Sequence, residues 1–275
     1  MSPLLRRAIL DPPLRSVAIE INSACNRQCC FCPNHDHARK PAFLKKELVC
    51  KIIDELKDMK FKGVLSFQLY NEPLLDNRLV EFIKYSRKKL PSVFLFINTN
   101  GDYLDIAGWK DLRKAGLDFA LVSQYDGKVN DNIRDILDKL SRPEKRRFFV
   151  RFYGMSKAGN RAGLVKTGKS IKLPLKEYCS RPFYQLCINY QGKAVLCHND
   201  YSGLVKIADV RKESVSEIWR SRIFKYHRTK LFYHNRNGLK LCEKCDNVQY
   251  DFGRVYNMYK ITARNIILER TNDLP

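Results

Sequence analysis

Apolar runs and helical periods alternate regularly over residues 16–153 of the chain. Short runs rich in Val, Ile, Leu and Phe predict strands, and apolar positions that recur every three or four residues between them predict helices. The strands are expected at 16–22, 64–70, 93–98, 119–123 and 148–153, and the helices at 41–61, 77–89, 106–115 and 129–140. This alternation is typical of βα units around a parallel sheet, in which functional residues gather at the carboxyl ends of the strands.

The pattern changes near residue 174. Two short apolar runs, 185–190 and 194–197, are joined by Gln191-Gly192 and predict a β-hairpin. A serine-capped helix is expected at 214–221, and a helix-like segment at 256–268. We therefore divide the chain into residues 1–173, 174–250 and a tail, 251–275.

Charge and hydropathy limit the partners and the cellular location that the sequence predicts. The formal net charge is +22, from 51 Lys and Arg against 29 Asp and Glu, which favours anionic partners. A nucleic-acid partner is compatible with this charge but not favoured, because the basic residues are spread along the chain. No run reaches the roughly 18 apolar residues of a membrane span, and no signal peptide is recognised, so we expect a cytoplasmic protein without a membrane anchor.

A cysteine-rich loop directly follows the first predicted strand. Cys25, Cys29 and Cys32 stand in the spacing Cys-x3-Cys-x2-Cys, which places three soft ligands on one tight loop. Iron–sulfur clusters normally take four cysteines, so three leave an iron open to another ligand. Zinc is the alternative, although it usually requires four closed ligands. Cys30 does not fit the spacing and is not expected to be a ligand.

Four further cysteines lie in the second part of the chain. Cys179, Cys197, Cys242 and Cys245 supply four thiolates, which by spacing alone suit either a [4Fe–4S] cluster or zinc. The ten cysteines of a cytosolic chain are more often metal or redox ligands than disulfides. The remaining two, Cys50 and Cys187, are expected in the core. His198 is interpreted as a turn residue.

The first loop, from Ser23 through the phrase Phe31-Cys32-Pro33-Asn34, resembles that of the radical S-adenosylmethionine (SAM) superfamily. The resemblance implies a partial (β/α) TIM-like barrel. It implies that Cys25, Cys29 and Cys32 hold a [4Fe–4S] cluster whose fourth iron chelates SAM. The second cysteine set resembles the auxiliary-cluster module of this superfamily in its form with one extra [4Fe–4S] cluster, a small cysteine-rich unit of β-hairpin and helix.

The resemblance also implies roles for residues at the strand ends. The segment Asn71-Glu72-Pro73 resembles the one that meets the SAM ammonium, and the ends of the third and fourth strands line the SAM site. Arg161, in a glycine-rich basic loop, is expected to hold a SAM or substrate oxygen or to act on a substrate hydroxyl. The residues expected to bind SAM are Phe31, Asn71, Glu72, Pro73, Asn98, Asn100, Ser123 and Gln124.

The function implied is cleavage of SAM to a 5′-deoxyadenosyl radical, followed by dehydrogenation of a small polar or cyclitol-like substrate. Within the superfamily the resemblance is to short dehydrogenases that act on an amino-cyclitol. An auxiliary cluster suits such an oxidation because a second electron must be removed. A flavodoxin- or ferredoxin-type reductant is expected. The alternatives are a radical SAM peptide maturase and, from another class, a zinc protein that binds nucleic acid.

Overall fold

The computed structural model describes Arg7 and residues 9–247, and within them one sheet of eight strands orders as β5-β4-β3-β2-β1-β6-β7-β8. The strands are β1 (Ser16–Ile19), β2 (Val64–Ser66), β3 (Phe94–Thr99), β4 (Phe119–Gln124), β5 (Phe148–Phe152), β6 (Gln185–Ile188), β7 (Lys193–Val195) and β8 (Ala208–Asp209). The helices are α1 (Lys46–Asp58), α2 (Leu79–Lys89), α3 (Ile106–Ala115), α4 (Asp131–Lys139), α5 (Arg142–Lys145), α6 (Val215–Trp219) and α7 (Arg222–Phe232).

Strands β1 to β6 are parallel and form the partial barrel that the alternating pattern and the resemblance predict. Each of β1 to β4 pairs with the next strand in the chain, as short βα connections favour. The strand β6 joins the other side of β1, with Ser16 opposite Gln185 and Ile19 opposite Ile188. The antiparallel strands β7 and β8 then extend the sheet. The predicted hairpin therefore belongs to the same sheet, which continues across residue 174.

The core lies between the sheet and the helices that connect its strands. In α1 the buried residues Val49, Ile52, Ile53 and Leu56 follow the helical period and join the main apolar cluster with β1 and β2. The residue before the helix α3, Asp105, caps it through a side chain that accepts a hydrogen bond from the Gly108 amide. The helix ends at Gly116, where φ is +106°.

Several predicted elements are shorter than expected, and in α1 and β2 a hydrogen bond outside the element takes an amide out of the regular pattern. The helix α1 begins at Lys46 instead of residue 41, since the Leu44 amide donates to the Ile21 carbonyl beside β1. The strand β2 ends at Ser66 instead of residue 70. Just beyond it, the Leu69 amide donates to the side chain of Asn71.

The structure also contains helices that the sequence did not predict. The four-residue α5 lies between the predicted helix 129–140 and the predicted strand 148–153, and α7 follows α6 directly. By contrast, α6 and its capping serine, Ser214, are confirmed. The helix-like segment at 256–268 lies outside the described residues. None of the described helices has the length and hydropathy needed to cross a bilayer.

We expect Leu65→Ala to destabilise the fold by about 2–5 kcal/mol, the usual cost of deleting a buried leucine side chain. Leu65 is fully buried in β2, between β1 and β3. Anaerobic denaturant unfolding measures the change. Val80→Ala on α2 is the control, since Val80 is 39% exposed, and a loss of similar size in both variants would contradict this account of the core.

Candidate active site

The cysteine loop lies at the carboxyl edge of the parallel strands and opens into a cleft of about 390 Å³, the central cleft. Cys25, Cys29 and Cys32 all line this cleft, whereas Cys30 is exposed and does not. A turn in which the Cys32 amide donates to the Cys29 carbonyl (2.8 Å) fixes the loop locally. All three cysteines of the predicted spacing therefore line one cleft.

A set of charged hydrogen bonds holds the loop against the ends of β3 and β4. Arg27 donates to both carboxylate oxygens of Asp102, at 2.6 and 2.7 Å, and to Asp126 at 2.9 Å. Asp102 also accepts from Asn26 at 2.6 Å and from Asn130 at 3.2 Å. These bonds hold the pKa of Arg27 above its ordinary value, so the guanidinium stays protonated. Its positive charge is balanced by the two carboxylates.

Glu72 organises the neighbouring strand ends from a buried position. Its carboxylate accepts hydrogen bonds from the Thr99 hydroxyl (2.6 Å), the Asn100 amide (2.8 Å) and the Leu74 amide (3.1 Å). Burial raises the pKa of Glu72 to about 7, although these hydrogen bonds favour the carboxylate. The Glu72 amide in turn donates to the Ala24 carbonyl, which joins this segment to the cysteine loop.

The residues expected to bind SAM fall into two groups. Phe31, Asn71, Glu72, Asn98 and Asn100 line the central cleft. The others, Pro73, Ser123 and Gln124, are buried behind it.

Two residues of the second group donate hydrogen bonds to residues of the first group. Gln124 donates to the Asn100 carbonyl (3.1 Å), and Ser123 donates to Asn98 (3.1 Å). Pro73 opens the 3₁₀ turn Pro73–Leu75. Their roles toward SAM stay predictions, and the geometry assigns Pro73, Ser123 and Gln124 to positioning.

A second carboxylate, Glu20 at the end of β1, joins several loops around the cleft. It is 1% exposed and accepts two hydrogen bonds from Arg39, at 2.8 and 3.0 Å. It also accepts from the amides of Tyr70 (3.0 Å) and Tyr190 (3.3 Å). The Arg39 guanidinium in turn stacks over the rings of Tyr190 and Tyr201. One buried ion pair therefore connects β1, the segment after the cysteine loop, and the second part of the chain.

Arg161 reaches the cleft from its strained loop, where its φ is +49°. One terminal nitrogen lies 3.3 Å from the Tyr153 hydroxyl, and the other 3.5 Å from the Asn199 side chain. Its Nε and the hydroxyl of Tyr70 are buried without a hydrogen-bond partner among the described residues. Burial lowers the pKa of Arg161, but nearby Tyr and Cys groups outweigh this and the pKa lies above its ordinary value. The guanidinium therefore faces the cleft as a cation.

Several cleft residues were missed by the sequence analysis. Tyr125 and Tyr153 follow β4 and β5, Arg151 lies within β5, and all three line the cleft beside Phe31. Their positions at the carboxyl ends of strands were a usable signal. His198 lies in a turn, as predicted, and its side chain also lines the cleft. Burial, with Arg181 and Arg161 nearby, lowers its pKa well below the ordinary value.

The other four predicted ligands meet in a separate cavity. Cys179, Cys197, Cys242 and Cys245 line it together, and we call it the four-cysteine cavity. Burial raises the pKa of the Cys179, Cys197 and Cys242 thiols. Cys187 is fully buried outside the cavity, as predicted, whereas Cys50 on α1 is only half-buried.

The cleft and the four-cysteine cavity are neighbours. Arg181 lines both of them. Asn199 accepts from Arg161 on the cleft side and lies 3.4 Å from the Cys245 sulfur on the other. The Asn160 amide donates to both carboxylate oxygens of Asp246 at 2.8 Å, which ties the Arg161 loop to the Cys242–Cys245 segment. Two short side-chain contacts therefore connect Arg161 in the cleft to Cys245 in the four-cysteine cavity.

Both cysteine sets fit iron–sulfur clusters by their donor chemistry. Burial raises the pKa of Cys25, of Cys32 and of Cys29, the last to about 12. Such thiols are protonated at neutral pH and lose the proton when a metal binds. As the side chains stand, no three His, Cys, Asp or Glu in the described residues surround a single metal-ion position. The fit rests on the thiols that share each cavity and on the unpartnered Arg161 Nε and Tyr70 hydroxyl beside the first set.

Comparisons with known proteins agree with this geometry. Residues 19–149 match the radical SAM superfamily, and residues 179–246 match an iron–sulfur cluster-binding domain. A 2-deoxy-scyllo-inosamine dehydrogenase from Niallia circulans, which depends on S-adenosyl-L-methionine, is 26% identical over 251 residues, 88% of this chain and 99% of the relative.

Solved structures give the same result. The crystal structure of BtrN in complex with AdoMet and 2-DOIA has a TM-score of 0.80 and 26% identity, covering 86% of this chain and 95% of BtrN. Native anSMEcpe with bound AdoMet shares the fold, with a TM-score of 0.55 and 13% identity over 94% of this chain and 100% of that one.

The chain carries a radical SAM domain over residues 19–149 and an iron–sulfur cluster-binding domain over residues 179–246. It is similar over most of its length to a SAM-dependent dehydrogenase, which places it among radical SAM oxidoreductases. SAM and iron–sulfur clusters are therefore its cofactors, as predicted. The match to an iron–sulfur domain favours clusters over zinc at the second cysteine set.

Asp102→Asn is expected to loosen the cysteine loop and to lower the iron content of the first cluster site after reconstitution. Asp102 accepts four hydrogen bonds, two of them from Arg27, and charged hydrogen bonds contribute about 1.5–3 kcal/mol each. Iron analysis and electron paramagnetic resonance of the reduced protein measure the loss. Asp126→Asn is the matched control, because Asp126 accepts only one hydrogen bond from Arg27 and is 52% exposed. Equal loading of the two variants would contradict this assignment.

Glu72→Gln tests the raised pKa of Glu72. Because the folded-state pKa of about 7 lies above the ordinary 4.5, the wild-type apoprotein should lose stability relative to the variant as pH rises from 4.5 to 7. The difference reaches about 3 kcal/mol, since each pKa unit corresponds to about 1.4 kcal/mol. Denaturant unfolding at several pH values measures it. The exposed Glu47→Gln should show no such loss, and a pH-independent difference for Glu72→Gln would refute the shift.

Proposed function

We propose that this protein is a radical SAM dehydrogenase that oxidises a hydroxyl group of a small polyol or cyclitol-like substrate to a carbonyl. The proposal is supported by the similarity to the 2-deoxy-scyllo-inosamine dehydrogenase over nearly the whole of both chains. Neither alternative, the peptide maturase or the zinc protein, has a specific observation of this kind in its favour.

The observation that carries the proposal is the close approach of the central cleft and the four-cysteine cavity. An alcohol oxidation removes two electrons, so the group that takes the second electron must lie near the substrate. Here the cleft and the four-cysteine cavity share Arg181, and the contacts from Arg161 through Asn199 to Cys245 are 3.5 and 3.4 Å long. A substrate in the cleft beside Arg161 would lie next to the second set.

We assign two [4Fe–4S] clusters to the chain. Cys25, Cys29 and Cys32 would hold the first, together with SAM, and the four-cysteine cavity would hold the second. When bound, the first cluster and SAM supply a carbon radical that abstracts hydrogen, and the second cluster accepts the remaining electron.

The side chains of the cleft bind, orient and shield the reactants. Phe31, Tyr125 and Tyr153 form an aromatic group with ring centroids 5.3–5.4 Å apart, which excludes water from the cleft. Asn71, Asn98 and Asn100 present amides at the strand ends, where we place SAM. Arg161 stays protonated and favours the ionised form of a hydroxyl beside it, which helps the substrate lose its proton.

The domain boundaries, the reductant and the cellular location predicted from the sequence belong to the same proposal. Residues 1–173 would cleave SAM, and residues 174–250 would hold the second cluster, although β6 lies in the sheet of the first part. A flavodoxin- or ferredoxin-type reductant and a cytoplasmic location stay predictions. The net charge of +22 favours an acidic reductant of this kind.

The experiment is anaerobic reconstitution followed by reaction with SAM, dithionite and candidate polyols, including 2-deoxy-scyllo-inosamine. We expect about eight irons per chain for two [4Fe–4S] clusters. Cys25→Ala should abolish formation of 5′-deoxyadenosine, because the SAM-binding iron is lost. Cys245→Ala should keep the first cluster and SAM cleavage but lose substrate oxidation. Chromatography of 5′-deoxyadenosine and of the oxidised product measures both steps.

Cys30→Ala is the matched control, since Cys30 is exposed and outside the cleft. It should retain both steps. A fully reconstituted protein that forms no 5′-deoxyadenosine under these conditions would refute the proposed function. Undiminished substrate oxidation by Cys245→Ala would refute the role of the second cluster.

A further inference from the structure

The central cleft contains more positive than negative side chains. Four arginines line it, namely Arg27, Arg151, Arg161 and Arg181, together with a single carboxylate, Glu72. Arg27 is neutralised by Asp102 and Asp126, whereas Arg151 and Arg161 carry charge that the cleft must balance. A buried or half-buried cation without a counter-charge is costly, so the balance must come from what binds there.

Arg151 presents its free end to the cleft. Its Nε donates to Ser123 at 2.9 Å, and its guanidinium packs over the Tyr153 ring with 5.2 Å to the centroid. These contacts fix the plane of the group and leave the two terminal nitrogens as donors. Among the described residues Arg151 has no carboxylate within ion-pair distance, unlike Arg27 in the same cleft.

Arg161 adds a second cation of the same kind. Its hydrogen bonds go to a tyrosine hydroxyl and an asparagine amide, both neutral, and its Nε is buried without a partner in the described part of the chain. Asp246 lies near the Arg161 loop, but both oxygens of its carboxylate accept hydrogen bonds from the Asn160 amide. Neither guanidinium therefore has its own counter-ion within residues 9–247.

The cofactors do not remove this excess. SAM, with a sulfonium, an ammonium and a carboxylate, has a net charge of about +1, which cancels the net charge of about −1 of an oxidised [4Fe–4S] cluster held by three thiolates. The two together therefore leave the charge of Arg151 and Arg161 unbalanced. A cluster with four thiolates is anionic, but it would lie beside Arg181 and Arg236, which already line the four-cysteine cavity. Glu72 is engaged by three hydrogen-bond donors and is not directed at either arginine.

We propose that the substrate of this cleft carries an anionic group, a phosphate or a carboxylate, which Arg151 and Arg161 bind. This inference rests on the proposed function and specifies its substrate class. Guanidinium groups held by packing suit such a group because their paired donors match the oxygens of a phosphate or carboxylate. The same cleft disfavours a substrate with an ammonium group, although the relative from Niallia circulans is named for an inosamine.

The test is a binding measurement with unreduced, reconstituted protein saturated with SAM. The probes are myo-inositol 1-phosphate, glucuronate, neutral myo-inositol and the cationic 2-deoxy-scyllo-inosamine, each titrated by anaerobic calorimetry. We expect at least one anionic probe to bind about tenfold or more tightly than the neutral and cationic probes, and to weaken as salt is raised. Preference for the phosphate or for the glucuronate identifies which anionic group the cleft takes.

Variants of Arg151 separate charge from shape. Arg151→Met should weaken the preferred anionic probe about tenfold and change myo-inositol binding less than about twofold, since a charged hydrogen bond is lost only with the anion. Arg151→Lys should recover part of the loss. Arg134→Met is the control, because Arg134 is exposed on α4 and outside the cleft.

Two outcomes would overturn the inference: no preference for either anionic probe, or an anion affinity that Arg151→Met leaves unchanged. A separate measurement of 5′-deoxyadenosine formation, with dithionite as reductant, distinguishes failure of this inference from failure of the proposed function. Intact SAM cleavage without an anion preference refutes the substrate class alone. A clear anion preference without SAM cleavage refutes the proposed function alone.

Discussion

The buried ion pair of Glu20 and Arg39 is the interaction on which the rest of the site depends. It is made at the end of β1, and its carboxylate also accepts the amides of Tyr70 and Tyr190. Removal of one partner would leave a buried charge, which typically costs about 3–5 kcal/mol. Since the four residues belong to four different segments, their relative positions are fixed together. This one ion pair therefore fixes the positions of the cysteine loop, the Glu72 segment and β6 relative to one another.

This arrangement explains how two distant cysteine sets come to lie close together. Tyr201, which follows Cys197 in the chain, donates to Asn34, and Asn34 donates to the Tyr70 carbonyl at 2.7 Å. From the other direction, Asp246 holds the Arg161 loop through Asn160. The residues between the two sets are thus positioned by both halves of the sequence, and the chemistry proposed for the cleft requires that proximity.

Local patterns predicted most of the framework and all the cysteine groupings, because strand and helix periods and ligand spacing are properties of short segments. The pairing of β6 with β1 depends on residues about 170 positions apart, and no local pattern encodes it. Arg151 was not singled out, and His198 was expected only as a turn residue, for a related reason: a polar residue at a strand end or turn has an ordinary solvated explanation until the fold shows what it faces. Pro73, Ser123 and Gln124, for which SAM binding stays a prediction, lie next to cleft residues but do not line the cleft.

The position of β6 has a consequence for how this protein could be divided or recombined. Because β6 covers the side of β1 opposite β2, a chain cut before residue 185 would leave β1 as an unprotected outer strand with free amides and carbonyls. Such strands invite association with other chains. The cluster-binding half is thus part of the scaffold of the SAM domain and could not be exchanged as an independent cassette. Maturation of the two metal centres and completion of the sheet are expected to be coupled events.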